Sequence, residues 1–405
     1  MDLLNDLKTY PTIPRNDCKL LQIITAINQW LSVSNHASIA RPFTAEIPSF
    51  CSAYFGNSKQ NSLGFLHRNI PLADRNALVL LLDTNSLFIS KLLALQSDST
   101  LYHITPDYFP PTTQKLLQSA DLSNLPAMYK NNITYKNSSS PKKDVKDTSE
   151  LHQINFNIFE YYAFCFAYCP TLVLESNDNS LFNRFDPTKK SSIVLDSCYF
   201  DLLNSYLNYF CPRQPPTTKT TIVPETPKRN VGPFTPRTQP ILQKPVIDVL
   251  DNSSIFQSPS IDSIPIALKN AHFVIESFIE LWFCQNDYES FNVTSQSVPT
   301  YSKPNSYQMK CIGLFLNHLL SLNLQNITSE QVSRINTDRN AGQIGIIYDI
   351  HKANIYRCFS PKFYRFIALA LQNWPTDDSI TLIVDLWLDF AFPWKRINQY
   401  FSHEW

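Results

Sequence analysis

Residues 363–394 read FYRFIALALQNWPTDDSITLIVDLWLDFAFPW and decide the fold class of this 405-residue sequence. Apolar side chains recur there every three or four positions, the spacing of one face of an α-helix. Pro375 ends the first helix, Asp377 or Asp378 caps the second, and Pro393 ends it. The two apolar stripes are Phe363, Ile367, Ala370 and Trp374, then Ile380, Val384, Trp387 and Ala391. This pattern predicts a helical hairpin.

The same helical spacing recurs along the rest of the chain. It predicts amphipathic helices at residues 20–31, 77–96, 196–210, 271–283 and 309–322. One dry face is expected on the fourth of these helices, made of Leu268, Ala271, Ile275, Phe278 and Trp282. Another helix is expected to start behind Pro48. The proline-containing segment that begins at Ile104 is expected to be extended and to lead into a short helix ending near Gln118. We therefore predict a mainly α fold, with two blocks of packed helical hairpins joined by a disordered Pro-rich linker.

Composition predicts where the blocks begin and end. Residues 1–129 form an N-terminal helical block, and the aromatic-rich helices of residues 153–211 complete it. Residues 130–152 are polar and lysine-rich, which predicts a disordered loop. Residues 264–405 form the C-terminal helical block.

The linker, residues 212–263, differs in character from both blocks. Nine prolines and six basic residues fall between positions 212 and 245, against one acidic residue, so the segment is expected to be basic and extended. Thr226 and Thr235 each precede a proline followed by a basic residue, the pattern of a proline-directed kinase site. We hypothesise that both threonines are phosphorylated, with chance matches in a basic Pro-rich linker as the alternative explanation.

Overall composition argues against several classes of function. The 34 basic and 34 acidic residues balance, so no net charge favours a nucleic-acid partner. Six glycines, none in a GxGxxG or GxxxxGK arrangement, argue against a Rossmann or P-loop nucleotide site. Nine cysteines without CxxC pairs predict reduced thiols. Cys165 and Cys169 are four positions apart, and we expect them to be buried structural thiols rather than zinc ligands.

Membrane and targeting signals are weak in this sequence. The N-terminus has no apolar core of the kind found in signal peptides. No window is expected to reach the roughly 18 apolar residues of a membrane span. The nearest candidate, residues 161–174, is interrupted by Pro170, and we expect a buried helix there rather than a membrane-surface element.

A few ionisable residues within apolar helices are candidates for chemistry. Glu160, Glu280 and Asp385 would be acids of raised pKa if they were buried, although the polar side of an amphipathic helix is the simpler interpretation. His272 and His318 are expected to be hydrogen-bonded histidines of the core or its boundary. No nucleophile, general base or metal-ligand set is recognisable in the sequence.

Large aromatic side chains are predicted to anchor the helix packing. These structural anchors are Phe159, Tyr161, Tyr162, Trp282, Trp374, Trp387 and Trp394.

Several aromatic motifs follow one another in a fixed order. They are NIFEYYAF at 157–164, FCP at 210–212, IELW at 279–282, NWP at 373–375, DLW at 385–387 and PW at 393–394. In that order they resemble the sphingomyelin phosphodiesterase 4 (neutral sphingomyelinase 3) family, from about Phe43 to Trp405.

The resemblance implies a mostly helical protein on the cytoplasmic face of endoplasmic reticulum and nuclear envelope membranes. It implies hydrolysis of sphingomyelin to ceramide and phosphocholine at a membrane surface, with magnesium as the cofactor by analogy with neutral sphingomyelinases. Family members are longer and carry a C-terminal hydrophobic anchor, which this chain is expected to lack. The alternative is a non-catalytic helical scaffold that binds nuclear envelope or nuclear pore proteins.

The linker hypothesis leads to a direct test. We expect mass spectrometry of the protein from dividing cells to find phosphate on Thr226 and Thr235, where it would reverse the local charge. Two unmodified threonines, in peptides that are well covered, would contradict the hypothesis.

Overall fold

The computed structural model describes thirteen ranges of the chain. They are residues 6–7, 10, 19–33, 36–57, 62–67, 70–118, 122–135, 152–172, 197–212, 264–287, 301–328, 339–374 and 380–393. Helices dominate these ranges, so the predicted mainly α class is confirmed. The linker at 212–263, with Thr226 and Thr235, lies outside the described residues apart from its first position.

The helices lie within the described ranges as follows. They are α1 (Lys19–Val33), α2 (His36–Phe55), α3 (Leu72–Leu82), α4 (Leu87–Ala94), α5 (Pro111–Gln118), α6 (Ala127–Lys130), α7 (Ile158–Tyr168), α8 (Cys198–Phe210), α9 (Ile264–Phe283), α10 (Ser306–Thr328), α11 (Arg339–Asn373) and α12 (Ile380–Ala391). Short 3-10 turns lie at Phe65–His67, Leu95–Ser97, Pro106–Tyr108 and Cys169–Thr171.

Short strands complete the N-terminal part of the fold. Strands β1 (Gly56–Asn57) and β2 (Ser62–Leu63) form an antiparallel pair. A second sheet has the order β3-β5-β4, in which β5 (His152–Phe156) pairs antiparallel with both β3 (Tyr102–Ile104) and β4 (Ile133–Tyr135).

The second sheet corrects the prediction of a disordered loop over residues 130–152. Both ends of the predicted loop are ordered, because Ile133 and Tyr135 of β4 pair with Ile154 and His152 of β5. Residues 136–151 lie outside the described ranges. The polar composition concealed the strand because a strand of three residues has too few positions to show alternation.

Helix α9 lies at the centre of the fold. From Asn270 to Cys284 every residue except His272 is buried. The sequence predicted one buried face on this helix, whereas the structure buries nearly all of its sides over this range. Helix α9 packs against α7, α8, α6 and α11. Residues on both sides of the 212–263 linker therefore share one hydrophobic core.

Trp282 joins α9 to its neighbours by two contacts and makes a third within the helix. Its indole Nε1 donates a hydrogen bond of 2.8 Å to the Ala167 carbonyl at the end of α7. Its ring stacks on Phe278 at a centroid distance of 4.6 Å and meets the edge of Phe315 of α10 at 5.8 Å. A fully buried indole with its N–H satisfied stabilises packing strongly.

Two prolines are accommodated inside α2, contrary to the prediction that a helix starts behind Pro48. Helix α2 runs from His36 through Pro42 and Pro48 to Phe55. A proline keeps a helical φ but removes its own N–H from the ladder, and its ring crowds the carbonyl four residues earlier. Tertiary packing of α2 has to offset this cost, which is about 3 kcal/mol for a proline inside a helix.

The C-terminal hairpin has the predicted order but a different second stripe. Phe363, Ile367, Ala370 and Trp374 are all buried, as expected. On α12 the buried side chains are Ile383 and Leu386, whereas Val384 is 40 % exposed. Helix α12 is apolar on several sides, so periodicity alone could not select the face that packs. Asp377, Asp378 and Trp394 lie outside the described residues.

Residues 72–97 correct the expectation that no window has the length and apolarity of a membrane span. By length and composition this stretch is long and apolar enough to cross a membrane, with a mean hydropathy of 1.7. In the fold it is broken between α3 and α4 at Asp83–Ser86, and half of the apolar window is buried inside the protein. Core helices pass the same test. The other candidate, residues 161–174, falls largely in α7, whose side chains are mostly buried.

The position of Trp282 leads to a stability prediction. We expect Trp282→Ala to lower the free energy of unfolding by about 3–5 kcal/mol, because it leaves a cavity and an unpaired Ala167 carbonyl. The matched control is Leu80→Ala, at a side chain that is 64 % exposed, with an expected change within about 0.5 kcal/mol. Urea unfolding followed by circular dichroism measures both, and equal effects would contradict the central role of α9.

Candidate functional site

A cavity lies between α10 and α12. Its volume is about 410 Å³, within the usual range of small-molecule sites. It is lined by Ser306, Met309, Lys310, Gly313, Leu382, Asp385, Leu386 and Asp389.

The lining residues follow the same spacing on both helices. On α10 they are at positions i, i+3, i+4 and i+7 from Ser306, and on α12 at the same intervals from Leu382. Two helix stripes of this kind face each other when the helices pack side by side. Gly313 keeps the space between them open, since a methyl group at its Cα would come to 3.9 Å from Leu386 Cδ2. An alanine would therefore fit there, whereas a longer side chain would fill the cavity.

Charges of both signs belong to this mostly apolar cavity. Burial lowers the pKa of Lys310 to about 8, against the opposing effect of Cys311. The Lys310 ammonium is withdrawn from water but is still mainly protonated at neutral pH. Asp385, which is exposed, and Asp389, which is half-buried, stand on the facing helix. The cavity thus combines an apolar lining with one cation and two carboxylates.

The N-terminal end of α10 supports the cationic side. The Asn305 side chain caps this helix by accepting a hydrogen bond of 2.7 Å from the Gln308 N–H. The same side chain donates to the carbonyls of Pro170 and Leu172, at 3.0 and 3.2 Å. Ser306 and Lys310 therefore lie in the first turns of a fixed helix, where the helix dipole favours an anion.

Two of the three acids singled out in the sequence are buried, so the polar-face interpretation is wrong for them. Glu160 is 2 % exposed, and its side chain accepts from the Asn157 N–H at 3.2 Å while its own N–H donates to the Asn157 side chain. This capping box fixes the start of α7, and Lys269 Nζ lies 3.5 Å from the carboxylate. Glu160 therefore has a structural role.

Glu280 belongs to a charged seam between α9 and α11. Its carboxylate pairs with Lys362, and Arg365 pairs with Asp287 at 2.8 Å further along. Burial lowers the pKa of Lys362 to about 8, and the negative charge of Glu276 opposes this effect. The seam joins the two helices.

Glu276 extends this seam towards α6. It accepts a hydrogen bond of 3.1 Å from the Met128 N–H and lies 3.3 Å from His272 Nδ1. The hydrogen bond to Glu276 raises the pKa of His272, against the effect of burial.

Three histidines within the described ranges have clear structural partners. His318 is buried and donates from Nε2 to the Cys211 carbonyl at 2.7 Å. His272 is a boundary histidine bound to Glu276, so the expectation for both residues is confirmed. His67 donates to the Cys169 carbonyl at 2.9 Å, and burial lowers the pKa of His67 to about 4.

The cysteines in the described ranges are free thiols. Cys169 is buried and Cys165 is half-buried, which agrees with the structural interpretation of this pair. Burial raises the pKa of Cys169 well above its usual value, so its thiol is protonated and a poor metal ligand. Within the described ranges, no group of three or more His, Cys, Asp or Glu side chains could hold a metal ion.

The structure places the predicted aromatic anchors at several helix contacts. Phe159 packs on Phe210 at 5.7 Å, and the Tyr162 hydroxyl lies 2.9 Å from that of Tyr206. Trp374 is buried, with Lys303 Nζ 5.0 Å from its ring centre. The remaining pairs are Tyr161 with Tyr102 at 4.8 Å and Trp387 with Tyr364 at 5.6 Å.

Sequence reasoning found Asp385 but missed the rest of the cavity. No sequence motif marks Lys310, Gly313 or Asp389 as a site residue. The sequence shows only that the lining residues of each helix are spaced i, i+3, i+4 and i+7, and the two helices are more than fifty positions apart in the chain. That spacing becomes informative only when it is known that α10 and α12 are neighbours.

The fold and cavity define a class of protein: mainly α-helical, with a bipolar, largely apolar cavity near the C-terminal hairpin. No protein family profile and no solved structure matches the chain. Two curated proteins named sphingomyelin phosphodiesterase 4 do match. The Danio rerio protein is 21 % identical over 329 residues, covering 78 % of this chain and 37 % of its own length. The Xenopus laevis protein is 21 % identical over 404 residues, covering 88 % and 45 % respectively.

The chain is therefore a distant relative of proteins named sphingomyelin phosphodiesterase 4. It spans less than half the length of these relatives. The aligned part includes most of the chain, as the order of aromatic motifs led us to expect.

The charged seam leads to a second stability prediction. We expect Lys362→Met to cost about 3 kcal/mol, because Glu280 would keep a buried charge without its partner. The double variant with Glu280→Gln is expected to recover at least half of that loss. Chemical unfolding at pH 7 measures both.

The matched control is Lys269→Met. This side chain is 61 % exposed, and Glu160 keeps its cap when Lys269 is lost, so we expect a cost below about 1 kcal/mol. A double variant less stable than Lys362→Met alone would show that Glu280 does not depend on Lys362.

Proposed function

We propose that this protein binds sphingomyelin at a membrane surface and hydrolyses it to ceramide and phosphocholine. The observation that carries the proposal is the distant relationship to sphingomyelin phosphodiesterase 4 over most of the chain. We propose the surfaces of the endoplasmic reticulum and nuclear envelope, the location that the sequence resemblance led us to expect.

The α10–α12 cavity supports a lipid substrate. Its lining by Met309, Leu382 and Leu386 favours apolar groups, and its volume of about 410 Å³ is large enough for part of a lipid. Charged residues beside an apolar lining match an amphiphile better than a sugar or a nucleotide.

Magnesium would have a partial site at this cavity. Proteins commonly hold Mg²⁺ with one or two carboxylates together with substrate phosphate oxygens. Asp385 and Asp389 are two carboxylates one helical turn apart, so they fit the protein part of such a site when they hold no other cation. A bound magnesium ion would supply charge neutralisation at the phosphate.

Without a metal, this chain's own residues can bind and orient a lipid. Met309 and Leu386 offer apolar contact to the lipid, and Lys310 supplies positive charge. The candidate site lacks a histidine, so a general base would have to be Asp385 or Asp389.

A helical scaffold is the second candidate function. Tyr364, Leu371, Val384 and Leu388 are each at least 40 % exposed on the C-terminal hairpin. Exposed apolar side chains on neighbouring helices favour contact with another surface. Under this proposal the protein binds a nuclear envelope component and releases no phosphocholine.

The test is phosphocholine release from sphingomyelin vesicles by the purified protein, with and without magnesium. We expect release above that of a mock preparation, and a loss of about tenfold or more in Gly313→Leu, because its side chain occupies the cavity. Gly313→Ala is the matched control and should retain activity, since its methyl group fits at 3.9 Å from Leu386. Thermal unfolding of each variant checks that it is folded.

The possible results separate the two functions. No release by the wild-type protein would contradict hydrolysis and favour the scaffold. Release that Gly313→Leu retains would place the reaction outside this cavity.

A further inference from the structure

We propose that the α10–α12 cavity is a binding site for the phosphocholine headgroup of a lipid, with Lys310 on the phosphate and Asp385 with Asp389 on the quaternary ammonium. This inference rests on the proposed function, because it assigns the parts of a sphingomyelin headgroup to named residues. It concerns binding, so it can be tested whether or not the lipid is cleaved.

The phosphate end is assigned to α10. Lys310 and Ser306 are one turn apart near the start of this helix, and both line the cavity. An ammonium and a hydroxyl can each donate a hydrogen bond to a phosphate oxygen, and the helix dipole adds to the attraction. The Lys310 ammonium is withdrawn from water, so its flexible stem must turn towards the cavity to meet the phosphate.

The choline end is assigned to α12. Asp385 and Asp389 are also one turn apart, on the helix opposite Lys310. A quaternary ammonium has no N–H to donate, so it is held by negative charge and by surface contact rather than by a directed hydrogen bond. Two carboxylates at the edge of an apolar lining supply both kinds of interaction.

The apolar lining is assigned to the part of the lipid next to the headgroup. Met309 and Leu386 are both buried, and Leu382 is 41 % exposed beside them. Covering the exposed part of Leu382 removes apolar surface from water, which favours a lipid over free phosphocholine.

The combination of charges argues against simpler ligands. A purely anionic lipid would meet Lys310 but also two carboxylates, and a purely cationic ligand would meet the Lys310 ammonium. A zwitterion satisfies both sides, and like-charge contacts would select against the alternatives. The relatives' name specifies sphingomyelin, whose headgroup is such a zwitterion.

The experiment measures binding of the full chain to vesicles by sedimentation in EDTA, at low protein concentration. The vesicles contain sphingomyelin, phosphatidylcholine or phosphatidylglycerol in a common inert lipid. We expect binding to both phosphocholine lipids, weaker binding to phosphatidylglycerol, and competition by soluble phosphocholine only at much higher concentration.

Charge-removing variants of similar shape test the assignment. Lys310→Met and the double variant Asp385→Asn with Asp389→Asn should each weaken binding to sphingomyelin vesicles by about tenfold or more. The matched controls are Lys130→Met and Asp107→Asn, at exposed positions far along the chain from the cavity residues. Circular dichroism and thermal unfolding show whether each variant is folded.

Each arm either supports the proposal or overturns it. Folded cavity variants that bind sphingomyelin as tightly as the wild type would overturn it, even if the protein hydrolyses the lipid elsewhere. Wild-type binding to phosphatidylglycerol at least as tight as to sphingomyelin would make the cavity an anion site and overturn the choline assignment.

A magnesium arm distinguishes the two roles of the carboxylates. If binding requires magnesium, and the Asp385 and Asp389 variants lose only the magnesium-dependent part, then these residues hold a metal rather than choline and the assignment is wrong. Binding in EDTA that these variants lose supports the assignment. A wild-type protein that binds phosphocholine vesicles but releases no product would contradict the proposed hydrolysis and leave the binding site supported.

Discussion

The fold depends on the burial of α9 on nearly all sides together with partners for its polar groups. A helix without a solvent face must satisfy every polar side chain inside the protein. Glu280 forms an ion pair with Lys362, and the Trp282 N–H donates a hydrogen bond to the Ala167 carbonyl. Glu276 pairs with His272 and accepts a hydrogen bond from the Met128 N–H. These contacts fix α6, α7 and α11 around one axis, so the core forms as a single unit on both sides of the linker.

This arrangement explains why the obvious chemical residues of the sequence are structural. Glu160 caps α7 and Glu280 closes the α9–α11 seam, and both are too enclosed to meet a substrate. Asp385 has the opposite position, since it stands on the outer hairpin beside the cavity. The candidate site therefore lies at the periphery, on α10 and α12. Helix α10 contacts the central helix through Phe315 and Trp282, and α12 packs on α10 and α11.

The lipid ligand that we propose is supported by the cavity and by the distant relationship to proteins named sphingomyelin phosphodiesterase 4. The aligned segment covers less than half of each relative, and the relatives' name specifies only a lipid substrate. The cavity adds a physical basis, because an apolar lining with charges of both signs complements a zwitterionic amphiphile. Gly313 is the residue that keeps this space open, and its position on α10 opposite Leu386 makes the cavity sensitive to a single side chain.

Local sequence pattern determined the mainly α class and most helix stripes. The stripe of Leu20, Ile24, Ile27 and Leu31 is buried as its spacing predicts, because one-sided burial imposes helical periodicity on the sequence. Tertiary structure alone decided the rest. Helix α9 is apolar on too many sides for its spacing to indicate a face, and strand β4 is too short to show alternation. The cavity joins residues separated by about seventy positions, and only the packing of α10 on α12 brings Lys310 and Asp385 to one space.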